Sequence, residues 1–180
     1  MKSMRRVNVM VGRFQPLTNG HLKCIETAWE KKGVPTVLCM VNTKEEKVDE
    51  RKPFPSSLLL PMYEELSKTT HIDSIELVVN ADIVKIGERL HEKGIEIYSW
   101  TCGTDRYDAY SNMASKYHDQ AHLSEDFEMI EVDRSDEDIS ATDVRESIYD
   151  NDIKTFCELT SFNETQFNIL RTQLLNVINK

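Results

Sequence analysis

Short apolar runs recur along the chain, and each ends at a glycine or in a polar stretch. Runs of this length that are rich in β-branched residues are typical of strands. The run 36–41 has no polar alternation, which predicts a strand buried on both faces. The sequence therefore predicts five strands, at 7–11, 36–41, 75–79, 95–101 and 127–132.

In the segments between the predicted strands, apolar residues recur at spacings of three and four, which predicts helices with one apolar face. The first stripe ends at Gly33 and Pro35, and a later one at Gly94, as helix stop signals predict. Pro61 suits a first turn or kinks its helix, and Ser161 with Glu164 predicts a capping box for the last helix. The predicted helices are 21–32, 58–68, 83–90, 105–118, 141–150, 153–159 and one with an apolar stripe from Phe167 to Ile178.

Alternating strands and helices predict an α/β protein with a doubly wound, five-stranded parallel sheet. These units occupy a domain at 1–160, and we expect the helix of 161–180 to pack on it as a C-terminal appendage. In such folds ligands bind at the carboxyl ends of the strands. A motif is therefore informative where it directly follows a strand.

The turn after the first strand has the residues of a phosphate-binding turn. Gly12 permits a sharp bend, and Thr18 or Asn19 can cap the helix. Gly20 lets a ligand approach the helix N-terminus, where the dipole favours an anion. His21 lies in that first turn and can donate hydrogen bonds to phosphate oxygens. The alternative is a turn whose residues only shape the loop.

A second candidate segment follows the fifth strand and the acidic loop 133–138. Ser140 and Asp143 can form a capping box, which is the purely structural interpretation. Ser140, Thr142 and backbone N–H groups would also lie together at a helix start. Arg145 follows three residues after Thr142 on the same face. Such a cluster can hold the β- and γ-phosphates of a nucleoside triphosphate.

A third segment ends the fourth strand. Gly103 permits a turn there and Asp105 can cap the next helix. Trp100 either stacks on a cationic ring or packs in the core. The basic loop after the second strand could reach the same edge of the sheet, although a solvated loop is the simpler interpretation; its cations are Lys44, Lys47, Arg51 and Lys52.

These segments resemble the nucleotidylyltransferase superfamily. Residues 12–21 match its first signature, G-x-F-x-P-x-[HT]-x-G-H, and residues 139–145 resemble its second, I-S-x-T-x-x-R. Residues 12–16 are similar to archaeal-type nicotinamide mononucleotide adenylyltransferases, whereas Thr18 is similar to the threonine of phosphopantetheine adenylyltransferases. Residues 102–105 resemble the Gly-x-Asp segment of eukaryotic nicotinamide enzymes. With residues 140–147, residues 103–106 also resemble phage-encoded members.

The resemblance implies a Rossmann-like nucleotidylyltransferase fold and transfer of AMP from ATP to a phosphorylated acceptor, most plausibly nicotinamide mononucleotide, with release of pyrophosphate. It implies Mg²⁺ as cofactor, with no protein ligand firmly assigned. The implied catalytic residues are His21, Arg13 and Thr18. Those implied to bind ATP are Gly12, Phe14, Gln15, Gly20, Gly103, Asp105, Ser140, Thr142 and Arg145, and those for the acceptor are Trp100, Arg106 and Lys52.

Other functions stay open at this point. A phosphopantetheine adenylyltransferase or a cytidylyltransferase of the same fold would share both signatures. A nucleotide-sensing module could keep the site without turnover. A fragment of a class I aminoacyl-tRNA synthetase fits poorly, because the chain is short and acidic and has no Lys-Met-Ser-Lys-Ser loop.

Composition narrows the partners. The formal net charge of −9 over 180 residues argues against a nucleic acid as main ligand. No apolar run approaches the length of a membrane span, and the four separated cysteines suit a reducing compartment. We therefore expect a cytoplasmic protein, in the host cytoplasm if phage-encoded, that could form a homo-oligomer.

Overall fold

The computed structural model describes residues 4–42, 48–133 and 141–179. The strands in these ranges are β1 (Arg5–Gly12), β2 (Thr36–Val41), β3 (Ile72–Val78), β4 (Ile95–Gly103) and β5 (Leu123–Val132). The helices are α1 (Asn19–Lys32), α2 (Ser56–Ser67), α3 (Ile83–Glu92), α4 (Thr104–Lys116), α5 (Ala141–Tyr149), α6 (Ile153–Leu159) and α7 (Glu164–Ile178).

Within the described chain the strands form one five-stranded parallel sheet in the order β3-β2-β1-β4-β5. The chain builds outward from β1 through β2 and β3, and then places β4 on the other side of β1. This reversal is the switch point of a doubly wound sheet, where a crevice opens at the carboxyl ends of the strands. The predicted fold class is confirmed.

Two apolar layers cover the faces of the sheet, as strand alternation requires. Val7 and Val9 of β1 pack against α3 and α4, whereas Met10 packs on the opposite face. That opposite face contains residues from α1, α2, α5, α6 and α7. Asn8 adds a buried polar link between strands, because its amide donates to Thr36 and accepts from the hydroxyls of Ser99 and Thr101.

Several predicted ends were wrong. Strand β5 begins at Leu123 and β3 at Ile72, earlier than their most apolar stretches suggested. Pro61 lies inside α2 rather than in its first turn. The capping box of α7 pairs Asn163 with Gln166. Ser161 is not the cap because its hydroxyl donates to Asn19 instead.

Helix α7 packs into the same core as α5 and α6. Phe167, Leu170 and Leu174 are its buried residues. Its Arg171 donates to the backbone carbonyls of Ile148 and Tyr149, at 2.7 and 2.8 Å, and so ties α7 to the C-terminal end of α5. The last helix is therefore part of the layer that covers one face of the sheet.

Candidate active site

The described residues form a cavity on each side of the loop that follows β1. Cavity 1, of about 740 Å³, lies towards α5 and α7. Cavity 2, of about 670 Å³, lies over the carboxyl ends of β1 and β4, at the switch point of the sheet. Arg13, Phe14 and His21 line both cavities. A ligand in either cavity would therefore contact the same loop.

The conformation of this loop begins at Gly12 and Phe14. A side chain at residue 12 would meet the Phe14 ring, because a Cβ there would lie 2.9 Å from a ring carbon. Phe14 has a φ of 49°, in the left-handed region that few non-glycine residues adopt. Strained backbone of this kind occurs often at functional sites. Gly12, a defined position of the first signature, therefore leaves room for the buried ring of Phe14.

His21 is held by the start of its own helix. Thr18 is the N-cap of α1, and its backbone N–H donates to His21 Nδ1 at 2.9 Å. The edge of the Phe14 ring contacts the imidazole, with centroids 5.0 Å apart and planes at 90°. Because Nδ1 accepts a hydrogen bond, the neutral ring has its proton on Nε2. His21 is therefore oriented as a hydrogen-bond donor between the two cavities.

Thr18 and Gln15 support the loop. Thr18 is 1% exposed, and its hydroxyl lies 3.2 Å from His21 Nδ1, so it positions His21. Gln15 is 3% exposed, and its amide group both accepts from and donates to the backbone of Phe54, each at 2.9 Å. The Gln15 side chain therefore fastens the loop to the segment before α2, although the residue also borders cavity 1.

Arg145 joins the second signature to the first. One amino group of its guanidinium donates to the Gln15 carbonyl oxygen at 2.7 Å, and the other donates to the Thr142 hydroxyl at 3.3 Å. Partial burial lowers the pKa of Arg145, and Asp49 acts in the opposite direction. Thr142 and Arg145 line cavity 1 as predicted, and Ser140 lies outside the described residues.

The wall of cavity 1 contains a cluster of guanidinium groups beside three carboxylates. Arg13, Arg51, Arg145 and His21 line it. Asp49 lies near these arginines, and the pKa of its carboxyl is lowered by backbone N–H groups of Lys52 and Arg51 and by the charges of Arg13 and Arg51. Three guanidinium groups around one cavity suit a polyphosphate.

The basic loop after β2 contributes a different residue from the one chosen from the sequence. Arg51 lines cavity 1. Lys52 lines neither of the two cavities, and its ammonium group donates to the side-chain oxygen of Asn42 at 3.2 Å. The signal for Arg51 was the position of the basic loop directly after a central strand. Lys44 and Lys47 lie outside the described residues.

The third segment lines cavity 2. Gly103, Asp105 and Arg106 border it together with Gly12. Gly103 is the N-cap of α4, so Asp105 is not the cap but lies in the first turn. Trp100 is 0% exposed and packs beside Tyr110, with ring centroids 5.5 Å apart. Stacking of Trp100 on a ligand is therefore excluded, and the core interpretation applies.

Sequence reasoning missed several wall residues. Asn80 and Ala81, from the loop after β3, border cavity 2. Tyr149, Leu174 and Ile178 form an apolar wall of cavity 1. The apolar stripe of α7 was recognised in the sequence, but a stripe does not show which of its residues face a cavity.

Metal-binding groups are sparse in the part of the chain that the structure describes. No cluster there has three His, Cys, Asp or Glu side chains placed to hold a metal ion. Cavity 1 does contain the carboxylates of Glu50, Glu146 and Asp150. Carboxylate oxygens are ligands that Mg²⁺ accepts while it keeps several waters. The chemistry of these side chains is the kind that a Mg²⁺ ion bound with a polyphosphate would require.

The fold and the site together define an α/β protein with two cavities that share the loop after its first strand. The family described as cytidylyltransferase-like matches residues 9–147, and the chain belongs to this family. It is a nucleotidylyltransferase of the cytidylyltransferase-like superfamily, as its two signatures indicated. A sequence search among curated proteins finds no match. None of the described helices is both long and apolar enough to cross a membrane.

Solved structures share the fold at low sequence identity. One, assigned as a nicotinate-nucleotide adenylyltransferase from Vibrio parahaemolyticus, has a TM-score of 0.60 and 11% identity, over 97% of this chain and 96% of that one. The Plasmodium falciparum nicotinic acid mononucleotide adenylyltransferase, complexed with NaAD, has a TM-score of 0.59 and 12% identity, over 93% of this chain and 95% of that one. Thermotoga maritima TmcAL, bound with alpha-thio ATP, has a TM-score of 0.57 and 13% identity, over 96% of this chain and 56% of that one.

Proposed function

We propose that the chain transfers AMP from ATP to the phosphate of nicotinamide mononucleotide, forming NAD and releasing pyrophosphate. The observation that supports this most is the position of His21, which lies with Arg13 at the junction of two cavities. A reaction that joins two phosphorylated substrates needs such a junction.

The charges suggest how the substrates divide between the cavities. In cavity 1, Arg51, Arg145 and Thr142 would bind the β- and γ-phosphates that leave as pyrophosphate. His21 and Arg13 would then contact the α-phosphate. Since attacking and leaving oxygens are roughly in line in phosphoryl transfer, the acceptor phosphate would enter from cavity 2. There Arg106 is an exposed cation near the strand ends.

Catalysis of this kind is positioning and electrostatic stabilisation. The acceptor phosphate oxygen forms a bond to the α-phosphorus while the bond to the β-phosphate oxygen breaks, so no protein nucleophile is required. His21 would donate from Nε2 to the charge that develops on the α-phosphate. Mg²⁺, when bound with ATP, would neutralise charge on the β- and γ-phosphates, and the carboxylates of Glu50, Glu146 or Asp150 are the groups that could hold it.

Nicotinate mononucleotide is the second candidate acceptor. Its ring carboxylate would need a cation, and Arg106 borders the cavity that would receive it. Two of the structures with this fold are named for nicotinate or nicotinic acid substrates. The two acceptors differ only at that ring substituent, so a direct comparison of their rates distinguishes them.

A panel of acceptors tests the proposal. The protein is incubated with Mg-ATP or Mg-CTP and, separately, nicotinamide mononucleotide, nicotinate mononucleotide or phosphopantetheine, and pyrophosphate is measured. We expect release with ATP and nicotinamide mononucleotide. Release only with nicotinate mononucleotide, phosphopantetheine or CTP would refute the acceptor or donor. ATP binding without pyrophosphate from any acceptor would indicate a nucleotide sensor.

A further inference from the structure

Tyr63 forms a buried hydrogen-bonded bridge under the phosphate-binding loop. It lies on α2, is 0% exposed, and its hydroxyl donates to the Phe14 carbonyl oxygen at 2.5 Å. The same hydroxyl accepts from the backbone N–H of Leu17 at 3.0 Å. Burial raises the pKa of Tyr63 well above its ordinary value, so the hydroxyl keeps its proton as a donor.

The two backbone groups that Tyr63 joins lie beside the groups that would act on substrate. Phe14 directly follows Arg13, and its ring contacts the imidazole of His21. Leu17 directly precedes Thr18, whose N–H orients His21 through Nδ1. The bridge therefore sets the distance between the Phe14 ring and the Thr18 N–H, the two groups that contact the His21 imidazole.

The strain at Phe14 explains why such a bridge is needed. A non-glycine residue at a φ of 49° is less stable than in its ordinary conformations, because its Cβ crowds the backbone there. Surrounding contacts must therefore hold this conformation. Gln15 supplies one such contact through Phe54, Arg145 supplies another at the Gln15 carbonyl oxygen, and Tyr63 supplies one at Phe14 itself.

We propose that Tyr63 is a positioning residue for His21, acting through its hydrogen bonds to Phe14 and Leu17. Tyr63 lines neither cavity among the described walls, so it acts without contact with substrate. As a statement about catalysis the inference rests on the proposed function, whereas the orientation of His21 can be examined independently of turnover.

Thr160 provides a matched control in the same apolar layer. Its buried hydroxyl also donates once and accepts once, to the Phe156 carbonyl oxygen at 3.0 Å and from the Phe162 N–H at 3.3 Å. Neither partner belongs to the phosphate-binding loop, and the Phe162 ring stacks on Tyr63 with centroids 6.1 Å apart, so the control also tests a change beside Tyr63 that leaves its hydroxyl in place. Thr160→Val and Tyr63→Phe thus remove the same number of buried hydrogen bonds, and only the second alters the loop.

The experiment compares wild type, Tyr63→Phe and Thr160→Val by thermal denaturation, steady-state kinetics, and NMR of labelled histidine. We expect similar losses of Tm in both variants. Only Tyr63→Phe should lower kcat, by about 10- to 100-fold, since small misplacements of catalytic groups have effects of that size. Its KM for ATP should change less than about twofold, because Arg51 and Arg145 of cavity 1 lie on other segments of the chain.

The NMR measurement reports on His21 directly. The ring nitrogen shifts should identify the Nε2–H tautomer in wild type and Thr160→Val, and a mixture of tautomers or a shifted titration in Tyr63→Phe. Equal kcat and equal His21 spectra in the two variants would overturn the inference. Absence of turnover in wild type would refute the proposed function alone, since the His21 spectra would still decide whether Tyr63 positions the ring. If Tyr63→Phe does not fold, hydrogen exchange of the Leu17 amide is measured in the wild-type protein instead. The bridge predicts that this amide is protected, and an unprotected amide would refute it.

Discussion

Arg145 shows how one side chain can serve both structure and chemistry. It donates to the Gln15 carbonyl oxygen, 130 residues away, and to the Thr142 hydroxyl, while it lines the cationic cavity. The planar guanidinium permits these contacts because its donors point in fixed directions. An ammonium group would keep the charge but would not reproduce that geometry.

Replacement of Arg145 by lysine tests this role. We expect the KM for ATP to rise about tenfold, which corresponds to the loss of one charge-assisted hydrogen bond. The KM for the acceptor should change less than about twofold, because its phosphate would enter from the other cavity. Steady-state kinetics with each substrate varied in turn make the comparison. An equal rise in both KM values would contradict the separation of the two cavities.

At this scale the sequence named many residues that line the two cavities but few of their contacts. Each signature follows a strand of the same sheet. The sequence therefore predicted that Arg13, His21 and Arg145 lie at one edge of that sheet. The signatures could not show that Gln15 and Thr18 use their polar groups within the protein, since those bonds depend on the packing of distant segments. For the same reason the partners of Tyr63 had no signal in the sequence.

Among the elements, α7 packs on the domain as the sequence led us to expect. Its stripe predicted an apolar face, but a stripe does not show how deeply each of its residues is buried. In the structure Leu170 is 0% exposed, and Leu174 and Ile178 reach cavity 1. The proposed domain boundary at residue 160 and any homo-oligomer stay predictions.

Leu170→Ala measures how much α7 contributes to stability. Truncation of a fully buried leucine should lower the free energy of unfolding by about 2–4 kcal/mol. Ile169 is the matched control, because it is adjacent and 42% exposed, and its change to alanine should cost less than about 0.5 kcal/mol. Urea denaturation monitored by circular dichroism compares the two. Equal effects would mean that α7 is not part of the cooperative core.

Over the whole molecule, charge is unevenly distributed. The net charge of −9 coexists with a cavity lined by three arginines. Composition argues against a nucleic acid as main ligand, which stays a prediction, but it could not reveal a cavity lined by arginines. The sequence predicted a parallel sheet but not the order of its strands, because β1 pairs with β4 through contacts between segments about ninety residues apart.

The thiols provide a test of the burial pattern. Burial raises the pKa of Cys39 to about 12 and of Cys102 to about 11, from the ordinary value of 9.0, and Cys24 is buried. At about pH 8, a disulfide reagent should therefore react rapidly with the exposed Cys157, slowly with Cys24 and Cys102, which line cavity 2, and with Cys39 only after unfolding. Because folding raises these two pKa values, their contribution to stability is complete below about pH 9 and declines as the pH rises towards 11 and 12.

Rapid reaction of several thiols in the native protein would contradict this pattern. A Cys157→Ser variant serves as the control, since it should abolish the fast phase and leave the slow phase unchanged. Raising the pH towards 11 should accelerate the reaction of Cys102 in the folded protein. The same reagent under denaturing conditions reports the total of four thiols.

The most direct test of the central claim is dinucleotide formation from Mg-ATP and nicotinamide mononucleotide, separated chromatographically, with wild type and His21→Ala in parallel. The predicted result is NAD from wild type and a rate lower by about 10²–10³-fold for the variant, as expected when a donor to transition-state charge is removed. Equal rates for both proteins, or no dinucleotide from wild type, would contradict the account.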